Sequence, residues 1–140
     1  MSCILRVWGA DLVVDELAVI TSLRPYRIDR KGEARLKPAQ VFEESCAHFE
    51  VSDLDFRELE GQIREAGQFL ERHEPELRAI VTFPGVQGAV LDFALAWRDV
   101  ATQTDRLPAS LLALAGNLGI GIDLSHYPVS EPESAEVAGA

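Results

Sequence analysis

Apolar and polar positions divide the chain into seven blocks that alternate between strand and helix character. Cys3 to Trp8 is apolar apart from Arg6, the pattern of an interior strand covered on at least one face. Gly9, Ala10 and Asp11 turn the chain. Leu12 to Leu23 then places Leu17, Ile20 and Leu23 at helical spacing, and Pro25 stops that helix by pushing the preceding residue away from helical angles. Residues 24–44 carry Pro25, Gly32 and Pro38 among charges, which predicts a long surface loop or an irregular hairpin.

Cys46 to Val51 alternates, with Ala47, Phe49 and Val51 on one side and Cys46, His48 and Glu50 on the other, so a strand with one wet face is expected. Ser52-x-x-Asp55 resembles a capping box for the longest helix, in which Phe56, Leu59, Ile63, Ala66 and Leu70 draw one apolar stripe. Burying its four large members contributes about 6–12 kcal/mol gross. The Glu60–Arg64 pair adds only about 0.3–0.5 kcal/mol at an exposed spacing, so packing decides how the helix sits. Pro75 interrupts the pattern, and Glu76 to Val81 adds a short helical turn. Ala89 to Trp97 is a third strand, with Leu91, Phe93, Leu95 and Trp97 on one side. Asp99 to Asp105 reads as a loop or a short edge strand. Pro108 to Asn117 is a helix that Gly119 closes, and Ile120 to Tyr127 is a last strand with Ile120, Ile122 and Leu124 inward.

Each strand is half polar, so the helices are expected on one face of the sheet only. The fold class is therefore α+β: a two-layer sandwich whose mixed or mainly antiparallel sheet has about four to five strands. With 140 residues, 47% of them apolar, one domain over residues 1–127 is expected, followed by an acidic disordered tail at 128–140. Met1 to Gly9 has neither a basic leader nor a long apolar segment, so no signal peptide is predicted. Cys3 and Cys46 follow no metal or disulfide spacing and read as small hydrophobes in a reducing cytoplasm.

Charge narrows the function classes. Thirteen basic against 23 acidic side chains give a net charge of −10, which argues against nucleic acid as a partner and for a basic protein. No apolar run is long enough for a membrane span. Residues 24–42 are net +4, whereas residues 43–76 are net −8. Within the basic stretch Arg27, Arg30, Lys31 and Arg35 form a candidate anion-binding loop, with Gly32 allowing close backbone approach. His48, Glu50, Asp92, Asp123 and Tyr127 form a candidate binding face on the polar side of the sheet, suited to holding a ligand or moving protons. Ordinary solvated surfaces are the plain alternative for both. His48, His73 and His126 lack metal-ligand spacing, the glycines of 116–121 run from helix to strand rather than the reverse, and no catalytic triad spacing appears. No metal, cofactor or catalytic residue is assigned.

Several ordered features resemble a known family. They are an opening Leu5-Arg6-Val7-Trp8-Gly9 strand, a helix ending Leu23-x-Pro25, a loop with Lys31-Gly32-Glu33, a strand led by Ser45, and a closing Leu118-Gly119-Ile120 that runs into Asp123-Leu124-Ser125-x-Tyr127. Together they resemble the bacterial family named domain of unknown function 4279, over about residues 3–128. Val13-Val14 departs from that family's Asp-Pro helix start and leaves Asp11 as the substitute cap. The resemblance implies a small cytoplasmic bacterial α+β protein and carries no activity. The leading expectation is a non-enzymatic protein-interaction module, similar in size and charge to immunity proteins. A small-molecule binder or enzyme using the face around His48, Glu50 and Asp123 is the rival, and a homodimeric structural protein the third reading.

Overall fold

Side chains that alternate along a strand fall on opposite faces, and the strand Cys3–Gly9 (β1) buries every second residue. The computed structural model describes residues 1–37 and 40–128. In it β1 is joined by Arg27–Asp29 (β2), Ser45–Ser52 (β3), Gly88–Trp97 (β4) and Gly121–Pro128 (β5) in one sheet of order β2-β3-β1-β4-β5. Neighbours are antiparallel except β4 and β5, which are parallel. A parallel pair needs a crossover connection, and the helix Ala109–Asn117 (α4) lies in it. Three further helices, Val14–Ile20 (α1), Leu59–Arg72 (α2) and Glu74–Val81 (α3), complete an α+β sandwich with an open, mostly antiparallel sheet.

The register lines up one continuous apolar surface. Leu5 lies between Phe49 and Leu91, and Val7 lies between Ala47 and Ala89, all of them buried. Leu17, Ala66, Leu70, Leu77, Ile80, Leu111 and Ala115 from the four helices meet these residues in a single core. Each fully buried Leu or Phe contributes about 1.5–3 kcal/mol, which outweighs any surface pair on the same helices. The helices thus share one layer, and the intervening residues Ile4, Arg6 and Trp8 face away from it.

Element boundaries depart from the periodic pattern in places, each for a local reason. The first helix covers Val14–Ile20 rather than Leu12–Leu23, and its cap is Val13, without a side-chain bond, rather than Asp11. Gly85 (φ +90°) packs so closely on Asp11 and Leu12 that it holds them in a turn, while extended Thr21 ends the helix and its Oγ1 accepts from the Leu23 amide. Ser52 does not cap the long helix. It remains in β3, its hydroxyl accepts from the Leu54 amide, and α2 begins at Leu59. Residues 53–58 instead cover the part of β4 that outruns β1, where the Ala96 amide donates to Phe56 O and Gln62 Nε2 donates to Ala94 O. The Glu76 turn is a helix from Glu74, with Pro75 in its first turn. Residues 99–105 form no strand, and the stretch 24–44, expected as a long loop or an irregular hairpin, contributes the short β2, which pairs antiparallel with β3.

In β5 the inward set is only partly covered: Ile120 is buried just before the strand, Ile122 is half-buried and Leu124 is exposed. Pro128 belongs to β5, and the expected tail at 129–140 lies outside the described residues. Gly119 (φ +73°) closes α4 as expected, with the Ile120 amide donating to Ala115 O at 2.9 Å.

Backbone crowding gives a direct check. A Cβ on Gly9 would lie 1.9 Å from the Gly85 carbonyl oxygen, whereas one on Gly67 in α2 meets nothing within 4 Å. Urea unfolding should show Gly9→Ala destabilised by about 2 kcal/mol or more. Gly67→Ala should be stabilised by about 0.5–1 kcal/mol.

Candidate functional site

The sheet face opposite the helices carries the charged residues. Arg6 on β1 lies opposite His48 on β3 and Val90 on β4, and Ile4 lies opposite Glu50 and Asp92. Asp92 in turn lies opposite Asp123 on β5. The same alternation brings Tyr127 to this face beside Ala96, and it brings Arg27 and Asp29 there through their pairing with His48 and Cys46. His48, Glu50, Asp92, Asp123 and Tyr127 therefore share one face, although Tyr127 sits at its far end.

A hairpin overhangs one half of that face. The Gly32 amide donates to Phe42 O, the Phe42 amide returns a bond to Glu33 O, and Ala34 bridges to Val41. Arg30 grips Asp15 of α1 through two bonds of 2.8 and 3.0 Å, which anchors the hairpin base and turns Arg30 away from the sheet. Beneath the hairpin lies a cleft of about 610 Å3 lined by Arg6, Trp8, Arg27, Asp29, Arg35, Phe42, Glu43, Glu44, Cys46, His48, Val90 and Asp123. Of the four residues in the candidate anion loop, Arg27 and Arg35 reach this cleft, whereas Arg30 and Lys31 do not line it. His48 and Asp123 come from the other candidate set, so the two sets converge here. Glu50, Asp92 and Tyr127 lie outside its lining.

Two linked charge clusters organise the surface. Arg6 reaches Asp123 at 3.1 Å and Asp92 at 3.3 Å, holding two carboxylates that face each other across adjacent strands. Ser125 donates to Asp92 at 2.7 Å from the other side. In the second cluster Asp29 accepts from His48 Nε2 and from Arg27 Nε, each at 2.8 Å. Burial would raise the Asp29 carboxyl, but the bonds and charges of His48 and Arg27 outweigh it and hold it below its ordinary 3.8. Burial lowers His48 from its ordinary 6.5 against the opposing pull of Asp29, with Arg27 and Arg6 adding to the decrease. His48 is consequently a neutral donor to Asp29, which fixes its tautomer with Nε2 protonated.

Cys46 lines the cleft, but burial pushes its thiol up to about 11, far from the thiolate a nucleophile requires. Cys3 is fully buried in the core. Arg35 stacks over Phe42 at 5.4 Å, and the Trp8 ring lies against Gly88, where any Cβ would meet it at 2.4 Å. Among the described residues no group of three His, Cys, Asp or Glu side chains could hold a metal ion. No helix among them is long and apolar enough to cross a membrane. Arg6, Trp8 and Phe42 are site residues that the sequence reading did not select. The lone charge inside an apolar strand was the available signal for Arg6.

The His48–Asp29 pair sets a pH dependence. A histidine whose folded pKa lies below its unfolded value stabilises the fold fully above that unfolded value and loses the contribution as the pH falls. Stability should therefore decline below about pH 6.5 through His48, and again below about pH 3.8 as Asp29 is protonated. Urea midpoints compared at about pH 7.5 and about pH 5.5 should fall more for the wild type than for His48→Gln.

No protein-family model matches the chain, and no curated protein matches it as a relative.

Proposed function

We propose that the protein is a non-enzymatic interaction module that uses the open sheet face and its hairpin-walled cleft to bind a basic protein. The supporting observation is the charge of that surface. Arg6, Arg27 and Arg35 stand against Asp29, Glu43, Glu44, Glu50, Asp92 and Asp123, so with His48 neutral the surface is net −3. Arg6 and Arg27 are bound to the protein's own carboxylates, while Glu43 and Glu44 at the hairpin rim have no cation partner among the described residues. The wider charge of −10 adds long-range attraction for a cationic surface. The reading includes a cytoplasmic setting, in keeping with the free thiols of Cys3 and Cys46. It also includes membership of the bacterial family that the sequence resembles.

Charge reversal at the rim and on the adjoining open face tests the reading. Wild-type protein should capture a net-positive protein from a lysate of its native host, with capture weakening as salt rises. The variant E43K/E44K/E50K should lose that partner. The control E60K/E71K, altered on the exposed side of α2, should keep it. Capture that survives the rim variant, or that selects only acidic proteins, would contradict the reading.

A further inference from the structure

We propose that the chain forms a homodimer through the outer edge of β5, joining two sheets into one of ten strands. Two independent observations carry this. The first is the hydrogen-bond ladder. β5 runs for eight residues and pairs only with β4 among the described residues, leaving a second row of main-chain donors and acceptors along its outer side. Natural sheets blunt such edges with lysine, bulges, proline or very short strands. The opposite edge follows that rule, since β2 has only three residues. β5 has no lysine, its one carboxylate, Asp123, is tied to Arg6 of its own sheet at 3.1 Å, and its single proline is its final residue.

The second observation is apolar exposure at the same edge. Along β5, Leu124 on the helix face is 39% exposed and Tyr127 on the open face 53% exposed, and Trp97 and Val100 beside the strand's end are 64% and 54% exposed. Exposed apolar residues gathered on one margin mark an interaction site, whereas scattered ones do not.

The sequence of β5 favours a second copy of itself as the occupant. Antiparallel self-pairing centred on Leu124 spans residues 121–127 and leaves Pro128, which has no amide to donate, just outside. In this register Leu124 meets Leu124, Ile122 meets His126, Asp123 meets Ser125 and Gly121 meets Tyr127. No like charges oppose one another. A register centred on Asp123 would set two carboxylates face to face, which cross-strand pairing disfavours. The two-fold axis runs perpendicular to the sheet, so both clefts look out from the same side of the assembly.

Light scattering on the full chain should give twice the mass of the 140-residue chain. Leu124→Lys should give a monomer with unchanged circular dichroism, while Val19→Lys, on the 82% exposed α1 position, should stay dimeric. Leu124→Cys places its thiol at the two-fold axis and should yield an intermolecular disulfide on oxidation that the wild type does not form. A wild-type monomer would overturn the proposal. So would a dimer that Leu124→Lys leaves intact, or a Leu124→Cys variant that fails to cross-link.

Discussion

Strict alternation along β1 is the constraint on which the rest of the structure depends. It is the middle strand, so its two faces set the faces of the whole sheet. Cys3, Leu5 and Val7 supply the centre of the core, and the residues between them, Ile4, Arg6 and Trp8, supply the centre of the opposite surface. A slip of β1 by one residue against both neighbouring strands would bring Arg6 under the helices and Leu5 into water. Burial of apolar side chains on one face thereby dictates where the charged groups of the other face must lie.

Once the register is fixed, the polar face becomes an electrostatic problem with a local solution. Asp92 and Asp123 are forced together by the β4–β5 pairing, and Arg6 is the cation within reach of both. Asp29 is forced against His48 by the short β2, and the pair is completed by Arg27. These bonds hold the arginines and the imidazole in place at the floor of the cleft. The rim carboxylates Glu43 and Glu44 are not drawn into those clusters, which leaves the surface with a negative balance.

Much of this was legible in the pattern of residues, and what was not has physical causes. Ala47, Phe49, Leu91 and Phe93 announce their faces because a period of two survives along each strand, and the sharing of one face by His48, Glu50, Asp92 and Asp123 follows from the same period. For β2 only an irregular hairpin somewhere in 24–44 is legible and not the strand's limits, because three residues cannot display a period. Ser52 misled because its local capping preference loses to a tertiary demand, the covering of β4's free edge by residues 53–58. Leu124 reads as inward but extends beyond the cover of the helices. Phe42 and Arg35 join the cleft only because the hairpin folds over the sheet, a long-range event that no periodicity encodes.

Adjacent substitutions on β1 test the one-sided arrangement most directly. Ile4 lies between Glu50 and Asp92 on the open face, and Leu5 lies between Phe49 and Leu91 in the core. Thermal unfolding followed by circular dichroism should show Ile4→Lys folded with a midpoint close to the wild type, because the new ammonium finds two carboxylates. Leu5→Lys should fail to fold, since it buries an unpaired charge. Equal tolerance of both substitutions, or unfolding by Ile4→Lys, would contradict a sheet with helices on one face alone.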